Sequence, residues 1–244
     1  MQSGITACVE VGASGVETVL LGPGTSYTAR PGLGDLPDGA PLLLAVPGIV
    51  AAGRVVAASN LGWYDVDPAV QLGLAMTAAV VCNDAEAAAL GESVLRPGLP
   101  DLVFVGLGTG VGGAVVRDGE VQAANLFAHE TGFSRRACSC GQTGCLETVA
   151  GGWALPAALQ LSHLKTIAAS LAMVVEHESL ATPRLVVLAG GITRDYPDLV
   201  PLVQDALTDR QVEGTAAIGT KSAAAWGLRD LHDRLIDLPA PANA

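Results

Sequence analysis

The sequence has little positive charge and few charged residues of any kind. Among its 244 residues, 13 are Lys or Arg and 24 are Asp or Glu, which gives a formal net charge of -11. Such an acidic surface repels phosphate backbones and anionic lipid, so we expect no nucleic acid partner. Half of the residues are hydrophobic and only 15% are charged, which excludes a disordered chain.

Long hydrophobic runs and a secretory signal are also missing. The richest apolar stretch, residues 41–58, is interrupted by Pro47 and Gly53, so no segment is expected to span a membrane. The first residues show no basic region followed by an apolar one and a cleavage site. We therefore expect a cytoplasmic protein, in which closely spaced cysteines favour a metal site over disulfides.

The apolar runs and glycines predict an α/β protein with two similar halves, each opening with a strand, a glycine turn and a second strand. The predicted strands are residues 5–11, 16–21, 41–46, 54–57, 75–82, 102–107, 114–117 and 185–189. The predicted helices are residues 85–92, one starting at 161, 197–207 and 221–238, and residues 22–41 are predicted to be loop. We expect residues 1–104 with the final helix to form an N-terminal lobe, and residues 105–220 to form a C-terminal lobe.

The strongest local signal is a group of metal-ligand residues. The four candidate ligands are His129, Cys138, Cys140 and Cys145. One imidazole and three thiols suit a tetrahedral zinc site, and a closed site with four protein ligands is structural. We expect the metal to order a polar loop that also carries Glu130 and Glu147. The alternative is a set of free thiols in a flexible loop.

A second signal is the pair Asn83 and Asp84, which follows a buried apolar run and precedes a helix. A carboxylate at such a corner can accept a proton from a hydroxyl group. Asn83 with Glu86 three residues later also fits a capping box, in which both side chains satisfy helix amides. The residues alone leave both interpretations open.

Glycine-rich turns provide the third signal. Residues 106–113 offer unobstructed backbone amides and the Thr109 hydroxyl, which can hold phosphate oxygens, and Gly190-Gly191 follows a strand in a similar way. The first turn is equally explained by a tight hairpin, and the second by the start of a helix.

Taken together, these segments resemble the ROK family of repressors, open reading frames and sugar kinases. The matching segments are Asn83-Asp84, residues 108–113, residues 138–147 and residues 189–192. The resemblance covers most of the chain and implies the two-lobed actin and hexokinase fold, which is ribonuclease H-like, with a zinc-bound loop. It also implies ATP-dependent transfer of a phosphoryl group to a sugar hydroxyl, with magnesium and structural zinc as cofactors.

The resemblance assigns roles to individual residues. It implies that Asp84 is the catalytic base, and that the substrate ligands are Asn83, Asp84, His129, Glu147 and, as a replacement carboxylate, Glu130. The zinc ligands would be His129, Cys138, Cys140 and Cys145. The nucleotide and its metal would be held by Glu10, Gly12, Ser14, Gly108, Thr109, Gly110, Gly190 and Gly191. Family members are commonly dimers or tetramers, so we expect a homodimer or a larger homo-oligomer.

Two motifs depart from the family pattern. The family's first phosphate motif corresponds to residues 10–14, and it begins here with Glu10 where the family has Asp. The family's sugar-binding loop corresponds to residues 126–129, and it begins here with Leu126 where the family has Glu. The chain is also shorter than typical family kinases between residues 21 and 41 and between residues 152 and 184. Three hypotheses follow: a small kinase for a sugar, aminosugar or cyclitol, a sugar-binding regulator or enzyme of another reaction without kinase activity, and an assembly subunit.

Overall fold

The computed structural model describes residues 4–24, 26–98, 101–124, 127–177 and 184–237. The chain divides into two compact units. The first unit contains the residues up to Leu95 together with those from Ser222 onward, and the second unit contains Arg96–Lys221. The strand at residues 102–107 belongs to the second unit, so the boundary precedes the predicted one at residue 104. In the described part of the chain, no helix has both the length and the apolar character that crossing a membrane requires.

The elements follow one another along the chain in this order. The strands of the first unit are β1 (Thr6–Gly12), β2 (Gly15–Leu21), β3 (Tyr27–Pro31), β4 (Leu42–Val46), β5 (Ile49–Ala51), β6 (Arg54–Ala58), β7 (Trp63–Val66) and β8 (Val80–Asn83). Those of the second unit are β9 (Leu102–Leu107), β10 (Val111–Arg117), β11 (Glu120–Ala124), β12 (Arg184–Ala189) and β13 (Gly214–Ile218). The helices are α1 (Pro68–Gln71), α2 (Asp84–Leu95), α3 (Glu147–Ala150), α4 (Leu161–His177), α5 (Gly191–Asp195), α6 (Leu199–Asp209) and α7 (Ala223–Asp237).

The main sheet of the first unit has the strand order β3-β2-β1-β4-β8. β1, β2 and β3 are antiparallel neighbours, whereas β4 is parallel to both β1 and β8. Every residue of β4 is buried, because such a strand is covered on both faces of the sheet. One face packs against α7 through Leu228, and the other packs against Val55 of β6 and Ala69 of α1.

Helices α2 and α7 approach each other closely because glycine stands at their contact. A Cβ at Gly91 would overlap the carbonyl group of Ala223, and a Cβ at Gly227 would overlap that of Ala87. Both helices belong to the first unit, so α7 returns the end of the chain to the sheet at which it began.

The sheet of the second unit has the order β11-β10-β9-β12-β13. An antiparallel hairpin, β9 with β10, is extended by the parallel strands β12 and β13, which is the same arrangement as in the first unit. The prediction of two similar halves is therefore confirmed. Its core includes Ile167 and Leu171 of α4 and Val203 of α6, all fully buried.

Some predicted elements were wrong. Residues 22–41 contain strand β3, which the sequence did not reveal because this edge strand is half exposed and shows no apolar alternation. The strand predicted at residues 75–82 begins only at Val80, because the preceding residues are largely exposed. Strands β5, β7 and β13 are short and partly exposed, and no prediction was made for them.

Candidate functional site

Asp84 begins helix α2 directly after strand β8, at the predicted corner. The preceding Asn83 is almost fully buried, and its Oδ1 accepts hydrogen bonds from the backbone N–H groups of Ala85 at 2.9 Å and Glu86 at 3.1 Å. Its Nδ2 donates to the carbonyl oxygen of Gly48 at 2.8 Å. The Asn83 side chain therefore caps the helix, which is the role that the sequence left as an alternative.

The carboxyl group of Asp84 is half-buried and has a perturbed acidity. Loss of solvent raises the pKa of Asp84 to about 6. The backbone N–H of Ala85, 2.9 Å from Oδ1, opposes this shift, and the nearby Glu86 carboxylate adds slightly to it. A carboxyl group with this pKa is ionised at neutral pH and yet more basic than an ordinary aspartate, as a general base requires.

Glu10 lies in strand β1, close enough to Asp84 for the charge of that carboxylate to affect it. Burial, and then the charges of Glu17 and Asp84, raise the pKa of Glu10 to about 7, although a hydrogen bond from the backbone of Ala225 lowers it. Within the described residues, its Oε1 is buried without a hydrogen-bond partner. Glu17 stands directly opposite Glu10 on β2, so two like charges would meet across the strands if both were ionised.

The sequence did not single out Glu17, although the hairpin could have revealed it. Gly12 pairs with Gly15, and this register places Glu17 opposite Glu10. Ser14 lies in the exposed turn between the two strands. Gly12, Ser14 and Glu10 are thus neighbours on one hairpin of the first unit.

The glycine turn of the second unit is tighter than predicted. Strand β9 continues to Leu107 and β10 begins at Val111, so the turn itself contains only residues 108–110, closed by a 3.0 Å hydrogen bond from the N–H of Gly108 to the carbonyl oxygen of Gly110. Gly113 belongs to β10, where a Cβ would overlap the ring of Phe127. Part of the glycine run is therefore explained by packing.

Gly190 joins strand β12 to helix α5 and lies against the same turn. It has a φ of 95°, and a Cβ there would overlap the carbonyl group of Leu107. Gly191 is the first residue of α5. The structure thus brings both predicted glycine segments of the second unit together.

The four predicted metal ligands form a compact cluster. Their ligand atoms all lie within 4.8 Å of one another. His129 Nδ1 is 3.7 Å from Cys138 Sγ, and the Sγ atoms of Cys140 and Cys145 are 3.6 Å apart. Tetrahedral coordination with Zn–S bonds of about 2.3 Å requires sulfur separations of about 3.7 Å. The donor set and the spacing therefore fit a structural zinc ion.

The loop that carries the four predicted ligands, residues 129–145, is called the metal loop, and its backbone is folded tightly around them. The N–H of Cys138 donates to the carbonyl oxygen of Gln142 at 2.8 Å, and the N–H of Gly141 donates to that of Cys138 at 3.0 Å. Gly141 has a φ of 89° and Gly144 a φ of 81°, and a Cβ at Gly144 would meet the carbonyl oxygen of Ser134 at 2.5 Å. The two glycines therefore permit the turn that the sequence predicted for them.

The thiol of Cys140 is exposed, and hydrogen bonds favour its thiolate form. A hydrogen bond from the backbone of Gln142, followed by those of the Cys138 and Cys145 thiols, lowers the pKa of Cys140. Burial instead raises the pKa of Cys145. Metal ligation requires the thiolate, and Cys140 gives up its proton more readily than Cys145.

The polar residues around the metal loop have different partners. The Glu130 carboxylate is half-buried, and its Oε2 lies 3.7 Å from Nδ1 of His177. Glu147 is buried, and both of its oxygens accept hydrogen bonds: Oε2 from the N–H of Val111 and Oε1 from Nε1 of Trp153, each at 3.0 Å. Leu126, the altered position of the sugar loop, lies outside the described residues.

Trp153 is a further residue that the sequence did not reveal. Its indole contacts Glu147, and the guanidinium of Arg136 lies 5.7 Å from its ring centroid. No spacing rule connects these three residues, because their contacts depend on the path of the chain after the metal loop.

Two five-stranded sheets, each an antiparallel hairpin extended by parallel strands, define an α/β protein with the actin and hexokinase-like fold. The Cys3His loop is an added feature of its second unit. The chain belongs to the ROK family, whose model matches residues 39–176.

Named relatives include several sugar kinases. The chain is 30% identical over 276 residues to the kanosamine kinase of Amycolatopsis mediterranei, with 92% of this chain and 89% of that protein covered. It is 37% identical over 119 residues to the glucokinase of Halalkalibacterium halodurans, with 44% of this chain and 36% of that protein covered. The family also contains regulators, since the chain is 37% identical over 141 residues to a putative xylose repressor of Caldicellulosiruptor, covering 52% of this chain and 33% of that protein.

Solved structures share the fold. A ROK family glucokinase from Streptomyces griseus, crystallised with glucose and AMPPNP, superposes with a TM-score of 0.71 at 18% identity. That comparison covers 95% of this chain and 100% of the glucokinase chain. At this level of identity the likeness establishes the fold alone.

Proposed function

We propose that the protein transfers the γ-phosphoryl group of ATP to a hydroxyl group of a sugar, aminosugar or cyclitol. The observation that carries the proposal is Asp84, a half-buried carboxyl group with a pKa raised to about 6. The named relatives support it, because a kanosamine kinase is 30% identical over nearly the whole chain. The family resemblance supplies the same role for this aspartate.

In the proposed reaction, Asp84 accepts the proton of the attacking sugar hydroxyl. The hydroxyl oxygen bonds to the γ-phosphorus, and the bond between the γ-phosphorus and the oxygen that bridges it to the β-phosphate breaks, so that ADP leaves. The donors proposed for the phosphates are the backbone N–H groups of residues 108–110, Gly190-Gly191 and the hairpin at Gly12 and Ser14. Magnesium, when bound on the side of Glu10, supplies positive charge that offsets the charge of the phosphates.

The substrate ligands that we propose in the second unit are His129 and Glu130. Nδ1 of His129 faces the thiol of Cys138 in the metal-ligand cluster. Its other ring nitrogen, Nε2, is the atom that we propose contacts a hydroxyl group of the substrate. Glu130 is half exposed and stands where the loop lacks the usual family carboxylate. Asn83 and Glu147 are the other proposed substrate ligands, and the hydrogen bonds described above hold both side chains in place.

The proposal is tested by incubating the protein with Mg-ATP and a panel of glucose, aminosugars, N-acetylmannosamine and inositol, and by measuring ADP. We expect turnover with at least one acceptor, and Asp84→Asn should lower kcat by about 100- to 10,000-fold because it removes the general base. Asp205→Asn, at an exposed position of α6, is the matched control and should retain activity. Absence of turnover with every acceptor, or equal activity of the Asp84→Asn variant, would contradict the proposal.

A second candidate is a sugar-binding protein without phosphoryl transfer. It is favoured by Glu10, because this side chain is one carbon longer than the aspartate of the family motif and so changes the geometry offered to a magnesium ion. Isothermal calorimetry separates the two candidates. Sugar binding without affinity for Mg-ATP would favour the second candidate, and tight Mg-ATP binding would exclude it.

We further propose that the protein acts as a homo-oligomer in the cytoplasm, as the family resemblance implies. Light scattering coupled to size-exclusion chromatography measures the subunit number directly. A mass near 24.6 kDa, that of one chain, would contradict the oligomer.

A further inference from the structure

Glu147 is a buried carboxylate with a hydrogen-bond donor on each of its oxygens. It is the first residue of α3 and is 9% exposed. Its Oε2 accepts the backbone N–H of Val111 and its Oε1 accepts Nε1 of Trp153, each at 3.0 Å. A carboxylate oxygen can accept two hydrogen bonds, so each oxygen keeps one acceptor position for a further donor. The side chain is therefore fixed in direction and still able to bind a substrate hydroxyl.

Trp153 supplies the donor to Oε1 from the short segment that follows α3. Its side chain is 43% exposed, so burial of apolar surface alone does not explain where the indole lies. The indole N–H is a donor without acceptor capacity, and a donor gains most from an ionised acceptor. The hydrogen bond to Glu147 therefore accounts for the direction of the indole.

Gly151 leaves the space in which this pair forms. A Cβ at Gly151 would lie 2.7 Å from Cγ of Glu147 and 3.3 Å from Nε1 of Trp153. Its φ of -79° is open to any residue, so backbone conformation does not require a glycine here. Close approach of the carboxylate and the indole to the backbone does.

The rest of Trp153 is held by contacts that do not involve Nε1. Its backbone N–H donates to the carbonyl oxygen of Thr109 at 3.0 Å. The guanidinium of Arg136 lies 5.7 Å from the ring centroid, and its Nη1 donates to the carbonyl oxygens of Thr148 at 3.1 Å and Ala154 at 2.7 Å. A phenyl ring at position 153 would keep both the backbone bond and the cation beside the ring. The indole N–H can therefore be removed on its own.

We propose that Trp153 is a positioning residue for the acceptor, which acts by fixing the direction of the Glu147 carboxylate. With Oε1 and Oε2 both held, the two remaining acceptor positions have fixed directions and favour polyhydroxylated substrates whose hydroxyl groups meet them. This inference rests on the proposed function, because it takes Glu147 as a substrate ligand. It adds a residue to which the family resemblance assigns no role.

Trp153→Phe tests the inference, because it removes the Nε1 donor and keeps an aromatic ring. Acceptor binding is measured by calorimetry without nucleotide, with glucose, glucosamine, N-acetylmannosamine and inositol titrated separately. For each acceptor that binds the wild-type protein, we expect the Kd to rise about tenfold, because Glu147 loses one of the two donors that fix it. The KM for the acceptor should rise by a similar factor. The KM for ATP should stay within about twofold, since the backbone bond to Thr109 is kept.

Two further variants separate the hydrogen bond from the ring. Trp153→Ala removes both, and we expect it to weaken acceptor binding at least as much as Trp153→Phe. Gly151→Ala keeps both side chains but adds a methyl group where they approach the backbone, and it should weaken acceptor binding in the same direction. Normal binding by Trp153→Phe with weak binding by Trp153→Ala would overturn the inference and assign the ring to direct contact with the substrate.

Trp226→Phe, a matched change in the first unit, controls for the loss of an indole. Zinc content and far-ultraviolet circular dichroism verify that each variant is folded. Wild-type acceptor affinity in both variants of Trp153 would overturn the inference. An equal rise in the KM for ATP would also overturn it, because the change would then reflect a general loss of structure.

The failure of this inference differs from the failure of the proposed function. If the wild-type protein binds an acceptor but transfers no phosphoryl group to it, the proposed function fails, while weaker acceptor binding by Trp153→Phe still supports the inference. If the wild-type protein turns over and Trp153→Phe has the same acceptor Kd and KM, the inference alone fails. A wild-type protein that binds none of the four acceptors contradicts both.

Discussion

At the scale of single residues, two carboxyl groups of the first unit have pKa values well above their ordinary ones. Asp84 and Glu10 both have raised pKa values, and in both cases loss of solvent is the largest cause. The consequences differ, because Asp84 is ionised at neutral pH whereas Glu10 is divided between its two forms. Each predicts a separate pH dependence.

The proposed role of Asp84 as general base predicts a pH dependence of activity. A base with a pKa of about 6 keeps its proton at pH values where an ordinary aspartate has lost it, so activity should be lost as the pH falls through about 6. We expect kcat/KM to fall about tenfold per pH unit below this value and to level off above it. Measurement of initial rates across this range provides the check. The residual activity of Asp84→Asn should lack this dependence.

The pH dependence of stability follows from Glu10. Its pKa is about 7 in the folded protein and near 4.5 when unfolded, so between these values the folded state binds more protons and stability decreases as the pH rises. Glu10→Gln stays neutral and should be more stable than the wild-type protein by about 3 kcal/mol at about pH 8, with little difference at about pH 5. Urea unfolding at both values measures this. An equal effect at the two pH values would contradict it.

At the scale of elements, the metal loop brings its four candidate ligands to one point. We propose that a metal held by the Cys3His cluster orders it, and the two left-handed glycines Gly141 and Gly144 permit its turns. The adjoining network of Glu147 and Trp153 extends this order to the glycine turn. Loss of the metal is therefore expected to affect both elements.

Cys140→Ser tests the dependence on zinc. Replacement of this exposed thiolate leaves three ligands, so we expect the bound zinc to fall from about one equivalent per chain to well below one after dialysis against a chelator. Hydrogen exchange should rise across residues 127–147. The neighbouring Ser139→Ala, which removes no predicted ligand, is the control. Full zinc retention by Cys140→Ser would mean that this cysteine does not bind the metal.

At the scale of the whole molecule, the chain forms two units with separate cores. The core of the first unit includes Leu228 of the last helix, and that of the second includes Leu171 of α4, both fully buried. The end of the chain therefore stabilises the unit at its beginning.

A pair of matched truncations tests this division. Leu228→Ala and Leu171→Ala each create a cavity costing about 2 to 5 kcal/mol. We expect the first to raise hydrogen exchange mainly in residues 4–95, and the second mainly in residues 101–177. Mass spectrometry of proteolytic fragments reads both patterns. Equal increases in both units from either variant would show that the units unfold together.

The sequence alone determined the features that depend on residues close together in the chain. The hairpin register that pairs Gly12 with Gly15 follows from a glycine turn between apolar runs, and the ligands Cys138, Cys140 and Cys145 fall within one loop. The edge strand β3 could not be predicted, because its half-exposed residues give no periodic signal.

Only the tertiary structure decided how much solvent and which partners each polar group has. The pKa of Asp84 depends on how much solvent the folded chain removes from its carboxyl group, which no local pattern encodes. Glu147 accepts the N–H of Val111, which lies 36 positions earlier, so this contact depends on the folded path of the chain. Spacing can identify the chemical groups available, but packing fixes their environment, and the environment determines their charge and their use.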